Sequence, residues 1–132
     1  MSGFLDTNVL IYAVATEDRR TTTSLQLLDG TNRIGVQSLN EFANVAHRKL
    51  GMDWVEVAAA LTRLRSLCPP PLPLGIDIHE AGVRLAARYR LAFYDAMIVA
   101  AALAAGCDTL WSEDMHDGLV VDDLLTIRNP FA

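Results

Sequence analysis

The chain has 132 residues, 52% of them apolar, which is enough for one domain with a substantial core. Its 16 acidic and 11 basic residues give a net charge of −5, which excludes a general nucleic-acid binder with a basic surface. Two cysteines are too few for a disulfide framework, and the longest uncharged run, 96–107, is shorter than the about 20 residues of a membrane helix. The start "MSGFLD" also lacks a basic signal-peptide region. We therefore expect residues 1–132 to form a single cytoplasmic domain that does not enter a membrane.

The first half of the chain carries patterns for two strands and four helices. They predict a strand at 4–6, helices at 9–14 and 21–29, the second ending at Gly30, and a strand, "RIGVQ", at 33–37. A capping sequence, Ser38-x-x-Glu41, is expected to open the third helix, and "DWVE" at 53–56 the fourth. Both of these helices carry apolar residues at helical spacing, namely Leu39, Phe42, Ala43, Ala46 and Leu50 in the third and Trp54, Val57, Ala58, Leu61 and Leu64 in the fourth.

The second half begins with "CPPPLP" at 68–73, which cannot continue a helix and is expected to be a stiff connector. A short strand near 72–75 and a helix opened by "DIHE" at 77–80 should follow. The segment "YDAMIVAAALAAG" predicts a helix that is apolar nearly all round, hence buried, and that ends at Gly106. "DTLWS" and "LLTIR" predict the last two strands.

Strands that alternate with helices predict an α/β fold with a parallel sheet covered on both faces, and ligands of such folds bind at the carboxyl ends of the strands. Three chain segments deliver acidic residues to that edge. Asp6 ends the first strand, Glu41 is expected in the first turn after the second, and Asp114 and Asp117 follow the strand at 110–112. Asp95, in the first turn of the most buried helix, is expected to face the same edge.

Most of these acids have a structural explanation when taken singly. Glu41 fits a capping box, Asp95 is favoured by the dipole of its helix, and Asp next to Gly is common in turns. Asp6 is harder to explain, because it lies between "FL" and "VL" and the first basic residue of the chain is Arg19. Gathered at one edge, the acids repel one another unless a cation lies between them.

An all-oxygen set of this kind suits Mg²⁺ or Mn²⁺, and such ions commonly bind substrate phosphates as well. Without the five acids the chain carries 11 acidic and 11 basic residues, so the expected site accounts for the whole net charge. A neutral remaining surface tolerates a polyanionic substrate.

Other classes that gather acids or bind phosphate lack their required residues here. A phosphoacceptor receiver domain needs a lysine late in the chain, whereas the only lysine is Lys49. A dehalogenase-type phosphatase needs Asp-x-Asp, where this chain has Asp6-Thr7-Asn8. Neither a glycine-rich dinucleotide loop nor the GxxxxGK[ST] phosphate loop is present.

The motifs "LDTNVLIY", Glu41 after "SLN", "YDAMIVAAA" and "LWSEDM" followed by Gly118 resemble the PIN domain family, in particular its VapC-type toxins. The resemblance covers nearly the whole chain. It implies a three-layer α/β/α sandwich with a central parallel sheet of four to five strands, and a Mg²⁺- or Mn²⁺-dependent endoribonuclease.

The same resemblance implies roles for particular residues. Asp6, Glu41, Asp95 and Asp114 match the catalytic acids of the family, and Asp6, Asp95 and Asp114 would be the metal ligands. Supporting roles are expected for Thr7, Asn8, Ser38, Ser112 and Asp117. We expect a solvated side chain at Glu113 and a surface histidine at His116.

The resemblance further implies an RNA substrate, a cognate antitoxin protein, and a homodimer or a hetero-oligomer with that antitoxin. Two other functions remain open at this point. The first alternative is a housekeeping RNA-processing nuclease of the same fold, and the second is a catalytically silent PIN interaction module.

Overall fold

The computed structural model describes residues 2–15 and 19–132. The strands in these ranges are β1 (Gly3–Leu5), β2 (Thr109–Trp111), β3 (Val120–Val121) and β4 (Leu125–Arg128). The helices are α1 (Thr7–Ala15), α2 (Arg19–Leu27), α3 (Val36–Arg48), α4 (Trp54–Ser66), α5 (Ile76–Tyr89) and α6 (Phe93–Ala104). Within the described ranges, each helix is too short or too polar to cross a lipid bilayer.

The four strands form one sheet in the order β1-β2-β4-β3. β1, β2 and β4 are parallel, with Phe4 opposite Leu110 and Leu110 opposite Ile127. These three side chains are fully buried, as expected for parallel strands that helices cover on both faces. β3 was not predicted; it pairs antiparallel with β4 and has only two residues, too few to give a sequence pattern.

Helices pack on both faces of this sheet, which confirms the predicted α/β sandwich. Successive residues of a strand point to opposite faces, so Phe4 and Leu5 belong to different cores. Phe4 packs in a cluster with residues of α5 and α6, including Leu85 and Ile98. Leu5 packs in a second cluster with residues of α1, α3 and α4, including Phe42. β1 is therefore held from both sides, and its carboxyl end is fixed in position.

Two of the predicted strands are wrong. Residues 33–37 contribute only single bridges, from Arg33 to Phe4 and from Gly35 to Leu72, because α3 already begins at Val36. The segment 72–75 forms no strand beyond that one bridge at Leu72. The β-type composition of "RIGVQ" was overridden because Gln37 and Ser38 are buried inside the first turns of a helix.

The predicted helix starts are correct for α4 and wrong for α3. Asp53 caps α4 and forms a full capping box with Glu56. The expected box at Ser38 does not form, because α3 starts at Val36 after Gly35 and no side chain caps it. The Ser38 hydroxyl instead donates a hydrogen bond to the Leu5 carbonyl oxygen, which ties α3 to the end of β1.

α6 is the buried helix that the sequence predicted. All its residues from 96 to 102 are buried, and the chain leaves it at Gly106, whose φ of +74° is the left-handed conformation that favours glycine. α5 approaches α6 closely at Gly82, where an added Cβ would lie 2.5 Å from the Met97 sulfur. The missing side chain at Gly82 therefore lets α5 pack closely against α6 two residues after Asp95.

Candidate active site

Four of the five predicted acids line one pocket of about 360 Å³ at the carboxyl ends of the parallel strands. They are Asp6, Glu41, Asp95 and Asp114. The remaining lining residues are Thr7, Asn8, Ile11, Tyr12, Val45 and Lys49. The pocket thus combines side chains from the ends of β1 and β2 with side chains from α1, α3 and α6, as the rule for parallel sheets predicts.

Asp6 lies immediately after β1 and is 4% exposed. Its carboxylate accepts hydrogen bonds from the Ser112 hydroxyl and the Thr7 backbone N–H, each at 2.7 Å, and from the Asn8 side-chain amide at 3.3 Å. All three donors are neutral. In the described part of the chain no arginine, lysine or histidine forms an ion pair with Asp6. A buried carboxylate is therefore held here without a compensating positive charge.

This environment makes Asp6 hard to ionise. Burial raises its pKa from 3.8 to about 6, the charges of Asp95 and Glu41 add to the rise, and the hydrogen bonds from Ser112 and Thr7 oppose it. The pKa values of Glu41 and Asp95 are also raised, in both cases mainly by burial. For Glu41, the hydrogen bond from Gln37 opposes the rise in pKa and the charge of Asp95 adds to it. For Asp95, the charge of Asp114 adds to the rise. Mutual repulsion is thus present, but the loss of water is the larger cause.

Asn8 joins the two acids at the strand ends. Its side-chain nitrogen donates hydrogen bonds to Asp6, at 3.3 Å, and to Asp114, at 3.2 Å. Its side-chain oxygen accepts a hydrogen bond from the Glu113 backbone N–H at 3.3 Å. The amide therefore fixes the loop after β2 relative to the start of α1. Asn8 thereby positions Asp114 beside Asp6.

Glu41 lies one turn further along its helix than expected. It is the sixth residue of α3, and its carboxylate accepts a hydrogen bond from Gln37 at 3.0 Å. The Thr7 hydroxyl faces Glu41 and lowers its pKa, although it makes no hydrogen bond of ordinary geometry with any described residue. A buried hydroxyl that lines the pocket therefore has an unused bonding capacity.

A family model for the PIN domain matches residues 3–116, which is most of the chain. The chain belongs to the PIN domain family. No curated protein sequence matches it significantly.

Solved structures similar to this PIN domain come from bacterial toxin–antitoxin systems. A chain of a toxin–antitoxin complex from Klebsiella pneumoniae superposes with a TM-score of 0.72 at 21% identity, and the match covers 97% of both chains. VapBC2 from Rickettsia felis, bound to a promoter DNA fragment, gives 0.70 at 19% identity over 98% of both chains. VapC20 from Mycobacterium tuberculosis, a toxin that cleaves the sarcin–ricin loop, gives 0.69 at 20% identity over 85% of this chain and 89% of its own.

A divalent cation is expected in a PIN domain, and the donors of this pocket fit a hydrated one. In the described ranges, no group of three or more His, Cys, Asp and Glu side chains is placed to enclose an ion directly. The donors are instead carboxylates without ion-pair partners and the orphaned Thr7 hydroxyl around one pocket. Mg²⁺ usually keeps several waters and takes only one or two carboxylates, so this arrangement suits it better than an ion that sheds its water.

The five supporting residues predicted for this PIN domain fall into two groups. Thr7 and Asn8 line the pocket, and Ser112 bonds to Asp6 directly. Ser38 and Asp117 lie outside the pocket. Ser38 ties α3 to β1, and the exposed Asp117 carboxylate accepts a hydrogen bond from the Asn129 backbone N–H at 2.8 Å. Both therefore contact other parts of the fold and not the pocket carboxylates.

Glu113 is not the freely solvated side chain that the sequence suggested. Its carboxylate accepts a hydrogen bond from the Tyr12 hydroxyl at 2.6 Å and forms an ion pair with Arg20 at 2.8 Å. The Arg20 guanidinium also lies 5.3 Å from the centre of the Tyr12 ring. Glu113 thus fastens the loop that carries Asp114 to α1 and α2. His116 is exposed, as predicted.

Lys49 was assigned no function from the sequence, yet it lines the pocket of this PIN domain at its exposed rim. The signal that would have found it is the spacing of Glu41, Val45 and Lys49, which places the three on one helix face. All three line the pocket. Lys49 is the single cation among the lining residues and is available to a phosphate group.

We expect Ser112→Ala to destabilise the domain by about 1–3 kcal/mol, because it leaves the buried Met115 N–H without its hydroxyl acceptor and removes a donor from Asp6. The pKa of Asp6 should rise further. Chemical denaturation at neutral pH measures the stability. Ser24→Ala is the matched control, since Ser24 is fully buried and its hydroxyl has no hydrogen-bond partner in the described part of the chain. Equal effects of the two substitutions would contradict a supporting role for Ser112.

Proposed function

We propose that this PIN domain is a metal-dependent endoribonuclease and acts in the cytoplasm as the toxin of a toxin–antitoxin pair. The observation that carries the proposal is the pocket itself. Four carboxylates line it, and the most buried of them, Asp6, has only neutral hydrogen-bond donors around it. Clustered carboxylates without a cation cost stability, whereas they suit a phosphodiester hydrolase that binds a divalent cation between them.

RNA is the substrate class that fits the similar structures. One of them is a toxin that cleaves the sarcin–ricin loop, and others are toxin–antitoxin complexes. The same similarities support a cognate antitoxin as the protein partner, with assembly as a homodimer or as a hetero-oligomer with the antitoxin.

The pocket residues divide the chemistry among them. Asp6, Asp95 and Asp114 would hold a hydrated Mg²⁺ or Mn²⁺, in part through its water molecules, since the three carboxylates are not placed to enclose the ion directly. Such an ion, when bound, lowers the pKa of water and offsets the charge of the scissile phosphate. Glu41, which lines the same pocket, would orient the attacking water. Lys49 contacts the phosphate from the rim. Water adds across the P–O bond, so one fragment ends in a phosphate monoester and the other in a hydroxyl.

Purified protein should cleave an unstructured RNA with Mg²⁺ or Mn²⁺ and lose this activity in excess chelator. Asp95→Asn should lower cleavage by about 100-fold or more, the effect of losing a group that stabilises charge in the transition state. Asp77→Asn is the matched control, because Asp77 occupies the first turn of α5 as Asp95 does that of α6 but lies outside the pocket. Cleavage that persists in chelator, or that Asp95→Asn leaves intact, would refute the proposal.

A further inference from the structure

A second depression lies directly beside the carboxylate pocket. It has a volume of about 550 Å³ and is lined by Gln37, Asn40, Glu41, Asn44, Val45 and Tyr94. Glu41 and Val45 line both depressions, so the two share a wall formed by α3. A chain molecule whose phosphate lies in the carboxylate pocket would extend into this neighbouring depression.

Apart from Glu41 and Tyr94, the polar side chains that line the depression are three neutral carboxamides, those of Gln37, Asn40 and Asn44. Each offers both donors and acceptors, the chemistry that nucleobase edges require. Gln37 already donates to Glu41. Asn40 and Asn44 are exposed, and neither side chain makes a hydrogen bond with another described residue. Two amides are thus free to bind a ligand that carries no charge at this point.

An exposed aromatic ring completes the depression. Tyr94 is 62% exposed, and its ring packs edge-on against Phe93 with the centroids 5.5 Å apart. Phe93 in turn packs edge-on against His79 at 6.1 Å. The Tyr94 ring is therefore supported from one side while much of its surface stays in water. It directly precedes Asp95 in α6, which fixes it at the border of the carboxylate pocket.

We propose that Tyr94, Asn40 and Asn44 form a subsite that holds one unpaired base of the RNA next to the cleaved bond. The base stacks on Tyr94, and its edge bonds to the two amides. A base inside a duplex is stacked on both faces and paired along its edge, so this subsite selects single-stranded RNA. The subsite rests on the proposed nuclease function, because that function places the phosphate in the neighbouring pocket.

The test is a cleavage assay on an unstructured RNA oligonucleotide with one cleavage position, in which each nucleotide in turn is replaced by an abasic one. Tyr94→Ala should lower kcat/KM for the intact RNA about 5- to 100-fold, the usual effect of losing one base–aromatic stack. At one position, the abasic substitution should lower kcat/KM of the wild type by a similar factor and leave kcat/KM of Tyr94→Ala almost unchanged. Tyr94→Trp, which keeps a stacking surface, should retain activity.

Trp54→Ala is the matched control. Trp54 is 60% exposed, and its ring is stacked on His47 at 3.9 Å, but it lines neither depression. The substitution Trp54→Ala should therefore leave kcat/KM for the intact RNA unchanged. Abasic penalties that stay the same in wild type and Tyr94→Ala at every position would overturn the subsite, as would equal losses in Trp54→Ala and Tyr94→Ala.

Binding of the same oligonucleotides by fluorescence anisotropy in chelator separates this proposal from the nuclease function. In one outcome, the wild type cleaves no RNA in the activity assay and yet binds one abasic oligonucleotide more weakly than the intact one, while Tyr94→Ala shows no such difference in affinity. That result would refute the nuclease and support the subsite. If the wild type cleaves RNA and Tyr94→Ala cleaves it equally well, the subsite is refuted and the nuclease function stands. Equal melting temperatures of the two proteins exclude unfolding as the cause of a loss.

Discussion

Asp6→Asn should lower RNA cleavage by about 100-fold or more and, in the absence of metal, make the protein more stable at neutral pH. The loss of cleavage follows from its expected place as a metal ligand. The gain in stability arises because the substitution removes a buried charge that no cation compensates. The new amide keeps one oxygen that accepts a hydrogen bond from Thr7 or Ser112. Its nitrogen, however, is a donor that faces the donor of Asn8, and this lowers the free energy of unfolding by about 1–2 kcal/mol.

The net gain in stability should be about 1–2 kcal/mol, or about 3–8 °C in melting temperature. Thermal melts in chelator measure it. The gain should vanish near pH 4, where Asp6 is protonated in the wild type as well. Asp123→Asn is the control for the same chemical change, since Asp123 is exposed and its φ of +57° is a conformation that Asn also adopts. A variant less stable than wild type at neutral pH in chelator would show that Asp6 is structural.

The wild-type protein without metal should lose about 3 kcal/mol of stability between about pH 3 and pH 7, most of it between about pH 4 and pH 6. The size follows from the pKa of Asp6, which is 3.8 ordinarily and about 6 in the fold. In this interval the folded state keeps a proton on Asp6 that the unfolded state has released. Proton uptake is therefore greater in the folded state, and stability falls as the pH rises. Above about pH 7 both states have lost the proton, and this contribution becomes constant.

Denaturant titrations at a series of pH values in chelator measure this loss, and the same series on Asp6→Asn should show a much smaller one. The raised pKa values of Glu41 and Asp95 act in the same direction, so some pH dependence should remain in the variant. Mg²⁺ should restore stability at neutral pH by about 2.7 kcal/mol at 100 times its dissociation constant, because it binds only the folded state. A wild type whose stability rises from pH 4 to pH 6 in chelator would contradict the assignment of Asp6 as an uncompensated acid.

Much of the architecture could be read from the sequence because its signals are local. The capping box at Asp53 and the apolar segment of α6 each specify an element without reference to the rest of the chain. The convergence of Asp6, Asp95 and Asp114 was also predictable, because it follows from where strands end in a parallel sheet. The position of Glu41 in the pocket was also predicted, although the helix that carries it was expected to begin at Ser38 and begins at Val36.

The errors arise where tertiary contacts decide. Residues 33–37 read as a strand, and only the packing of Ser38 against the Leu5 carbonyl shows why a helix begins at Val36. The ion pair between Glu113 and Arg20 joins residues 93 positions apart, so no local pattern indicates it. The three neutral donors to Asp6 are Ser112, Thr7 and Asn8, which were among the supporting residues that the family resemblance implied, although Ser112 reaches Asp6 from the neighbouring strand.

The short pairings at the borders of the sheet limit how a protein partner can bind. At one border β3 offers only two residues, and at the other the backbone of β1 is already bonded to Arg33. Among the described residues, neither border presents a long row of free N–H and C=O groups, which disfavours a partner that adds a strand of its own to the sheet. Recognition of this domain should therefore depend on helix surfaces and side chains. Mutations that disrupt a complex should map to those surfaces and not to strand backbone.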